Sequence, residues 1–143
     1  MKRKKIMVSG GFDPVHVGHI RMIKEASEWG EVIVVINSDE WLIRKKGYVF
    51  MPFKERFEIM SSIDGVAQVS GVDDTDGTVC HAIGYHQPDA FANGGDRKKN
   101  NTPEMKICEE LGVQMLWGLG GKDKPQSSSW LVNKAMEQLN EIK

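Results

Sequence analysis

The stretch VSGGFDPVHVGHI, Val8 to Ile20, follows directly on an apolar run and contains two glycines, one aspartate and two histidines. An apolar run that ends in glycines is typical of a buried strand passing through a tight turn. His16 and His19 are three positions apart, so a helix that begins within Pro14–Val17 places both rings on one side of its first turn. The stretch therefore predicts a strand, a loop able to hold a phosphate, and a helix with two imidazoles at its start.

Outward from this stretch, the chain alternates strands and helices. The expected strands are Ile6–Val8, Glu31–Asn37, Gly65–Gly71, Asp89–Gly95 and Val113–Leu119. The expected helices are Ile20–Trp29, Pro52–Ile63, Thr78–Gln87, Pro103–Leu111 and Ser128–Ile142, and the expected mobile loops are Arg44–Val49, Arg97–Asn101 and Gly120–Ser127. This alternation predicts an α/β fold with a single doubly wound parallel sheet, which binds ligands beyond the carboxyl ends of its strands.

Length and composition narrow the class of protein. The 143 residues fit a single domain, 1–143, and the formal net charge of -1 gives no overall basic field that would attract nucleic acid. No segment approaches the eighteen or so apolar residues that a membrane helix needs. The two cysteines, Cys80 and Cys108, are too few for a disulfide scaffold. We therefore expect a cytoplasmic protein with neither a nucleic-acid nor a membrane partner.

The histidine pair is open to more than one interpretation. Paired imidazoles beside a phosphate can ligate a metal, act as nucleophile or base, or donate hydrogen bonds to oxygens that gain charge in a transition state. Asp13 is the one local candidate for a third metal ligand, which disfavours zinc. The structural alternative is a pair of histidines that only satisfies the start of a helix.

The stretch GGFDPVHVGH resembles the signature of the cytidylyltransferase-like nucleotidyltransferases, in which an apolar strand is followed by G-x-F-D and H-x-G-H. The likeness extends to NSDEW after the second strand, KERFEIM in the second helix, NGGDR after the fourth strand and QSSSWLV at the last helix. The resemblance implies a Rossmann-like nucleotidyltransferase domain. It also implies transfer of a nucleoside monophosphate from a nucleoside triphosphate to a phosphorylated small molecule, with release of pyrophosphate.

The resemblance also implies roles for particular residues. The expected catalytic residues are His16, His19, Lys46 and Arg56. The expected nucleotide-binding residues are Gly10, Gly11, Phe12, Asp13, Gly18, Asn93, Gly94, Asp96, Ser127, Ser128 and Ser129. Lys45 and Arg97 are expected to contact the acceptor. Magnesium is the expected cofactor, and Asp13 either orients the loop or approaches that ion.

Each of these roles has a plainer alternative. Lys45 and Lys46 fit a solvated charged loop equally well, and Arg56 fits a surface arginine paired with Glu55 or Glu58. The serine cluster can simply cap the last helix through Ser128 or Ser129. Likewise, the sequence from Asn93 to Asp96 can be a turn with no further role.

The identity of the base and of the acceptor is less visible. Asp64 stands where the cytidylyltransferases for glycerol phosphate or choline phosphate carry an arginine, whereas NSDEW, DDTDG and NGGD look more like the adenylyltransferase domain of ADP-heptose synthases. The resemblance therefore favours ATP over CTP, with a sugar or polyol phosphate as acceptor and a homodimer as the assembly. The alternatives are a glycerol-3-phosphate-type cytidylyltransferase, a nicotinamide-nucleotide or pantetheine-phosphate adenylyltransferase, and a nucleotide-binding module without turnover.

Overall fold

The computed structural model describes residues 3–94, 102–120 and 126–142. Five parallel strands form one sheet in the order β3-β2-β1-β4-β5. The strands are β1 (Lys5–Gly10), β2 (Glu31–Ile36), β3 (Val66–Ser70), β4 (Ala90–Gly94) and β5 (Gln114–Leu119). The helices are α1 (Val17–Trp29), α2 (Asp39–Lys46), α3 (Phe53–Ser61), α4 (Cys80–His86), α5 (Pro103–Leu111) and α6 (Ser128–Ile142). The predicted α/β fold class is confirmed.

The two faces of the sheet are covered by different helices. Successive side chains of a strand point to opposite faces, and in β1 the buried Ile6 and Val8 pack with α1 and with Met60 of α3. Met7, between them in sequence, belongs to the second cluster, which includes Ile83 of α4 and residues of α5. Because both faces of the central strands are buried, β1 and β2 are apolar almost throughout, as their sequence predicts.

The order of the strands places a crevice at the end of β1. This strand pairs with β2 on one side and with β4 on the other, so the chain leaves it in one direction and later returns to its opposite side. In open parallel sheets such a switch point is where ligands bind. Gly10 is the last residue of β1, and the quoted loop therefore begins at this crevice.

The sequence prediction missed α2. Ser38 caps this helix by accepting a hydrogen bond from the N–H of Trp41 at 3.0 Å, and Gly47 ends it in the left-handed conformation with φ of 87°. Residues Arg44 to Lys46, expected in a mobile loop, form its last turn. The helix buries Leu42 alone and has no apolar stripe, so its hydrophobic pattern gave no signal.

The buried face of α3 also differs from the prediction. The helical spacing of Phe53, Phe57 and Met60 predicts that these three side chains share one stripe and face the core. The residues that α3 buries are instead Arg56 and Met60, and Phe57 is 38% exposed. An arginine faces inward here because polar groups of the surrounding loops meet it.

Within the described part of the chain, no helix is long and apolar enough to span a membrane.

Candidate functional site

The loop after β1 is fixed by a buried carboxylate. Asp13 is 1% exposed, and its two carboxylate oxygens accept the main-chain N–H groups of Phe50 and Met51 at 2.6 and 2.5 Å. Phe12 is buried with φ of 53°, a conformation that non-glycine residues seldom adopt. The Asp13 side chain thus joins the β1–α1 loop to the segment between α2 and α3.

The two histidines form the start of α1. His16 is the N-cap residue: its Nδ1 accepts the N–H of Gly18 at 3.0 Å, while Nδ1 of His19 accepts the N–H of His16 at 3.1 Å. This is the reciprocal arrangement of a capping box, built here from two imidazoles. The rings stack with centroids 3.8 Å apart and an interplanar angle of 26°, and the Phe12 ring meets His19 edge-on at 4.8 Å.

These caps determine which tautomer each ring adopts. A ring nitrogen that accepts a hydrogen bond carries no proton, so the neutral rings of His16 and His19 bear their N–H at Nε2. Each ring therefore uses one nitrogen for the backbone and has a donor at the other. Two N–H donors on adjacent stacked rings are suited to phosphate oxygens.

Gly10 and Gly11 leave room for neighbouring side chains of the protein. A Cβ on Gly11 would lie 2.8 Å from Cδ2 of Leu42 and 3.7 Å from the ring of Trp41, and one on Gly10 would lie 3.3 Å from the ring of Phe12. The sequence interpretation attributed this glycine pair to close approach of a ligand. The structure adds a different reason, because side chains of the protein itself occupy the space beside both residues.

The lysines lie at the end of α2. Lys46 Nζ donates to the carbonyl of Asp13 at 2.7 Å and lies 5.2 Å from the centroid of the Tyr48 ring. Burial lowers the pKa of Lys46; the Asp13 carboxylate raises it, and the charges of Arg56 and Lys45 lower it. Lys46 therefore reaches the loop after β1 from a helix, in a setting that weakens its hold on the proton.

Lys45 faces a different neighbour. It is exposed, and its Nζ lies 4.7 Å from the centroid of the Trp41 ring. A lysine over an aromatic ring is held in place by a cation–π interaction. The two lysines therefore lie in different surroundings, and it is Lys46 that touches the β1–α1 loop.

Arg56 connects the loops at this edge of the sheet. It is 0% exposed; its Nε donates to the carbonyl of Met51 at 2.9 Å, and its Nη1 donates to the carbonyls of Gly11 and Asn37, each at 2.8 Å. Nη2 donates to Asp39 at 2.6 Å, forming an ion pair. The alternative of a surface arginine paired with a neighbouring glutamate is wrong, and these bonds use most of the donors that a phosphate contact would need.

A second buried carboxylate was not identified from the sequence. Asp74 is 2% exposed and accepts three hydrogen bonds, from Nδ2 of Asn37 at 3.1 Å and from the N–H and hydroxyl of Ser38 at 2.9 and 2.6 Å. Arg44 donates to its main-chain carbonyl at 2.8 Å. The only sequence signal was the acidic turn DDTDG, in which nothing distinguishes Asp74 from its exposed neighbours.

The serine cluster meets the loop after β1. The hydroxyl of Ser128 donates to the carbonyl of Pro14 at 2.6 Å, which places the start of α6 beside α1. The cap is Ser127, whose Oγ accepts the N–H of Trp130 at 3.4 Å, and not Ser128 or Ser129 as expected. Ser127 is buried and Ser129 is exposed. A helix N-terminus thus lies next to the paired histidines.

The structure describes some of the remaining predicted site residues and not others. Asn93 and Gly94 end β4, next to β1 at the switch point, whereas Asp96 and Arg97 lie outside the described residues. Across the described ranges, no group of three or more His, Cys, Asp or Glu side chains is placed to hold a metal ion. Asp13, the expected magnesium contact, accepts a main-chain N–H group at each of its two carboxylate oxygens.

Two known proteins are similar in sequence to most of this chain. The HldE bifunctional protein of Haemophilus influenzae is 36% identical over 123 residues, covering 85% of this chain but 24% of its own length. The FAD synthase of Thermococcus kodakarensis is 36% identical over 115 residues, covering 77% of this chain and 74% of its own. The chain thus spans about a quarter of the first relative and about three quarters of the second.

Solved structures share the fold. A lipopolysaccharide core biosynthesis protein from Thermoplasma volcanium superposes with a TM-score of 0.68 at 24% identity, covering 80% of this chain and 95% of that one. A protein described as a putative nicotinate-nucleotide adenylyltransferase from Vibrio parahaemolyticus gives 0.59 at 16% identity, covering 96% and 89%. Residues 7–134 match the family described as cytidylyltransferase-like. The chain belongs to the cytidylyltransferase-like family.

Proposed function

We propose that this protein transfers a nucleoside monophosphate from a nucleoside triphosphate to a phosphorylated small molecule, with His16 and His19 as the catalytic pair. One observation carries the proposal: both rings use Nδ1 to cap α1 and so have their N–H at Nε2. A helix start needs only one small polar side chain as a cap. Two stacked imidazoles, each with an N–H donor at Nε2, supply something more, which is a preorganised site for an anion that gains charge.

The reaction needs no nucleophile from the enzyme. A phosphate oxygen of the acceptor attacks the α-phosphorus, a new P–O bond forms, and the bond to the bridging oxygen breaks so that its electron pair leaves with pyrophosphate. Catalysis then consists of positioning and charge stabilisation. We assign hydrogen bonds from the two Nε2–H groups to the phosphate oxygens, and main-chain contacts with the triphosphate to Gly10, Gly11 and Phe12.

The start of α6 completes the triphosphate site in this proposal. Ser127, Ser128 and Ser129 lie in or just before its first turn, where main-chain N–H groups have no partner within the helix. The bond from Ser128 to Pro14 supports this assignment, since it joins that turn to the loop of the histidines. We assign the β- and γ-phosphates to this turn.

The other predicted residues take supporting roles in the proposal. Lys46 supplies a positive charge to the reacting phosphates, and Lys45, which is exposed, contacts the acceptor together with Arg97. Asn93, Gly94 and Asp96 remain proposed contacts of the base and ribose, and Gly18 of the loop. The buried Arg56 and Asp13 act as positioning residues, because their polar atoms bind main-chain groups of neighbouring loops.

ATP is the proposed donor. One of the two relatives is named for the synthesis of flavin adenine dinucleotide, a product that contains an adenylate. Asp64 also stands where cytidylyltransferases carry an arginine. For the acceptor we propose a sugar or polyol phosphate, with a flavin phosphate as the second candidate, which the FAD synthase relatives favour.

Magnesium enters the proposal with the nucleotide. The described residues do not supply a set of ligands for it, and Mg²⁺ is commonly bound through substrate phosphates and water with few protein ligands. The proposed substrate is therefore the magnesium complex of ATP, in which the ion neutralises phosphate charge.

The setting of the enzyme is also a proposal. We propose that residues 1–143 act as one catalytic domain and that the protein works in the cytoplasm, where free thiols such as Cys80 and Cys108 persist. A homodimer is the proposed assembly. Exposed apolar side chains on α6, namely Leu131, Met136 and Leu139, support an association with another surface.

A matrix of pyrophosphate release tests the function. ATP, CTP, GTP and UTP are each combined with glycerol phosphate, heptose phosphate, phosphocholine, nicotinamide mononucleotide and flavin mononucleotide, with magnesium present. The expected result is release with ATP and one acceptor class. Nucleotide binding without release in any combination would favour the competing function, a binding module without turnover.

A further inference from the structure

Asp74 contacts both ends of α2. Its carboxylate accepts the N–H and hydroxyl of Ser38, the residue that caps the helix, and its main-chain carbonyl accepts Nη2 of Arg44 in the last turn. Two contacts about one and a half helical turns apart fix the direction of a helix as well as its position.

The carboxylate is placed where a neutral side chain would cost less to bury. A buried charge is unfavourable unless hydrogen bonds replace its water, and Asp74 obtains these from Ser38 and from Asn37 at the end of β2. Because the Ser38 hydroxyl donates to Asp74, its oxygen is oriented to accept the N–H of Trp41. The buried acid therefore determines how α2 begins.

The other end of α2 carries Lys46. The helix has eight residues, so its two ends are roughly 10 Å apart, and a change of direction at the first turn displaces the last. Lys46 Nζ donates to the carbonyl of Asp13 at 2.7 Å, within the loop between β1 and α1 and three residues before His16. A small rotation of the helix would break this contact.

We propose that Asp74 is a positioning residue for Lys46: by binding both ends of α2 it fixes where the lysine lies relative to the reacting phosphates. This inference rests on the proposed nucleotidyl transfer. It assigns to the turn after β3 a part in catalysis through α2, without contact between Asp74 and the substrate.

A double-mutant cycle on kcat/KM tests the proposal. Asp74→Asn is expected to lower kcat/KM about 10- to 100-fold, and Lys46→Met about 100-fold. The double variant should match Lys46→Met within about twofold, because Asp74 acts through that lysine. Losses that multiply in the double variant would overturn the proposal. Asp73→Asn, a change at the exposed neighbour, is the matched control and should retain full activity.

A second variant keeps the proposal testable if Asp74→Asn does not fold. Should Asp74→Asn be recovered unfolded, Arg44→Met replaces it in the same cycle, since Arg44 is exposed and binds the Asp74 carbonyl at the other end of α2. If Arg44→Met lowers kcat/KM in the unmodified protein but not in the Lys46→Met variant, the proposal is supported. If it lowers kcat/KM equally in both, the proposal is overturned.

A measurement without turnover separates this inference from the proposed function. The pKa of Lys46 can be followed by NMR of its side chain, assigned with Lys46→Arg. The charged groups that face it are Asp13, Arg56 and Lys45. Asp74→Asn, or Arg44→Met in its place, should raise this lowered pKa toward 10.5 as the lysine becomes solvated, and Asp73→Asn should not. An unchanged pKa in the first variant would overturn the positioning role even if the enzyme is inactive.

Discussion

At the scale of single residues, the two histidines have a structural function in the fold and a chemical function that we propose. Their Nδ1 atoms cap α1, and the proposed contacts with the phosphates are made by Nε2–H. An alanine at either position would remove both functions together. A change that separates them has to retain an acceptor near the position of Nδ1 and remove the donor at Nε2.

The lowered pKa of Lys46 predicts an alkaline limit to activity. Because burial lowers this pKa below 10.5, the ammonium loses its proton at a lower pH than an exposed lysine, and kcat/KM should fall as the pH rises through that value. Lys46→Arg keeps its charge throughout this range. In pH profiles of kcat/KM, the alkaline limb should move upward in Lys46→Arg.

The control for this profile is Lys54→Arg, an exposed lysine on α3. Its alkaline limb should coincide with that of the unmodified protein. An alkaline limb that stays in place in Lys46→Arg would show that another group sets it.

The sequence predicted the residues of the loop but not the buried charges beside it. His16, His19 and Asp13 stand at fixed spacing after an apolar strand, and this local pattern can be recognised in one dimension. The burial of Arg56 and Asp74 depends on four separate segments that meet at one edge of the sheet. No local pattern contains that information.

At the scale of elements, α2 shows which signals outweigh hydrophobic periodicity. Its sequence has a serine cap at Ser38, acidic residues in the first turn, basic residues in the last, and Gly47 immediately after it. The acidic and basic residues are favourable at their ends of the helix because of the helix dipole, and Gly47 is favourable after its last turn because glycine adopts a φ of 87° without strain. These terminal signals would have predicted the helix that the apolar pattern could not.

The contact between α6 and the β1–α1 loop predicts a specific effect on nucleotide binding. Ser128→Ala removes the hydrogen bond to the carbonyl of Pro14, so the first turn of α6 loses this contact with the β1–α1 loop. The Kd for ATP, measured by calorimetry, should rise about tenfold. The free energy of unfolding should fall by about 1 kcal/mol or less.

A matched control exists on α3. Ser61→Ala removes a hydroxyl that donates to the carbonyl of Phe57 within its own helix, so it deletes the same kind of bond without touching the contact between α6 and the β1–α1 loop. Its Kd for ATP should equal that of the unmodified protein. Equal Kd values for the two serine variants would contradict the proposed role of α6.

At the scale of the whole molecule, the order of the strands brings these parts together. β1 lies in the centre of the sheet between β2 and β4, and the loop, α2 and α3 meet at its carboxyl end. The alternation of strands and helices predicted the parallel sheet, and the carboxyl edge of such a sheet is where ligands generally bind. The side-by-side placement of α6 and the loop, 114 residues apart at Ser128 and Pro14, was not accessible from local patterns.

The buried Arg56 connects these segments, so its replacement should lower the free energy of unfolding of the whole domain. Arg56→Met leaves the carbonyls of Gly11, Asn37 and Met51 without their donor. Urea unfolding should show a loss of about 3–5 kcal/mol. Lys54→Met, at an exposed position of the same helix, should change the free energy of unfolding by about 0.5 kcal/mol or less. A loss in Arg56→Met as small as that of the control would contradict the role of the network.

The most direct test of the central claim is the rate of pyrophosphate release in His16→Asn. Asparagine retains a cap acceptor for α1 but lacks the Nε2–H donor. With the acceptor identified by the matrix, kcat should fall about 10²- to 10³-fold while the Kd for ATP changes by about threefold or less. His81→Asn, whose side chain is 60% exposed, should keep full activity. Unchanged turnover in His16→Asn, with α1 intact, would contradict the claim that the paired histidines stabilise the reacting phosphates.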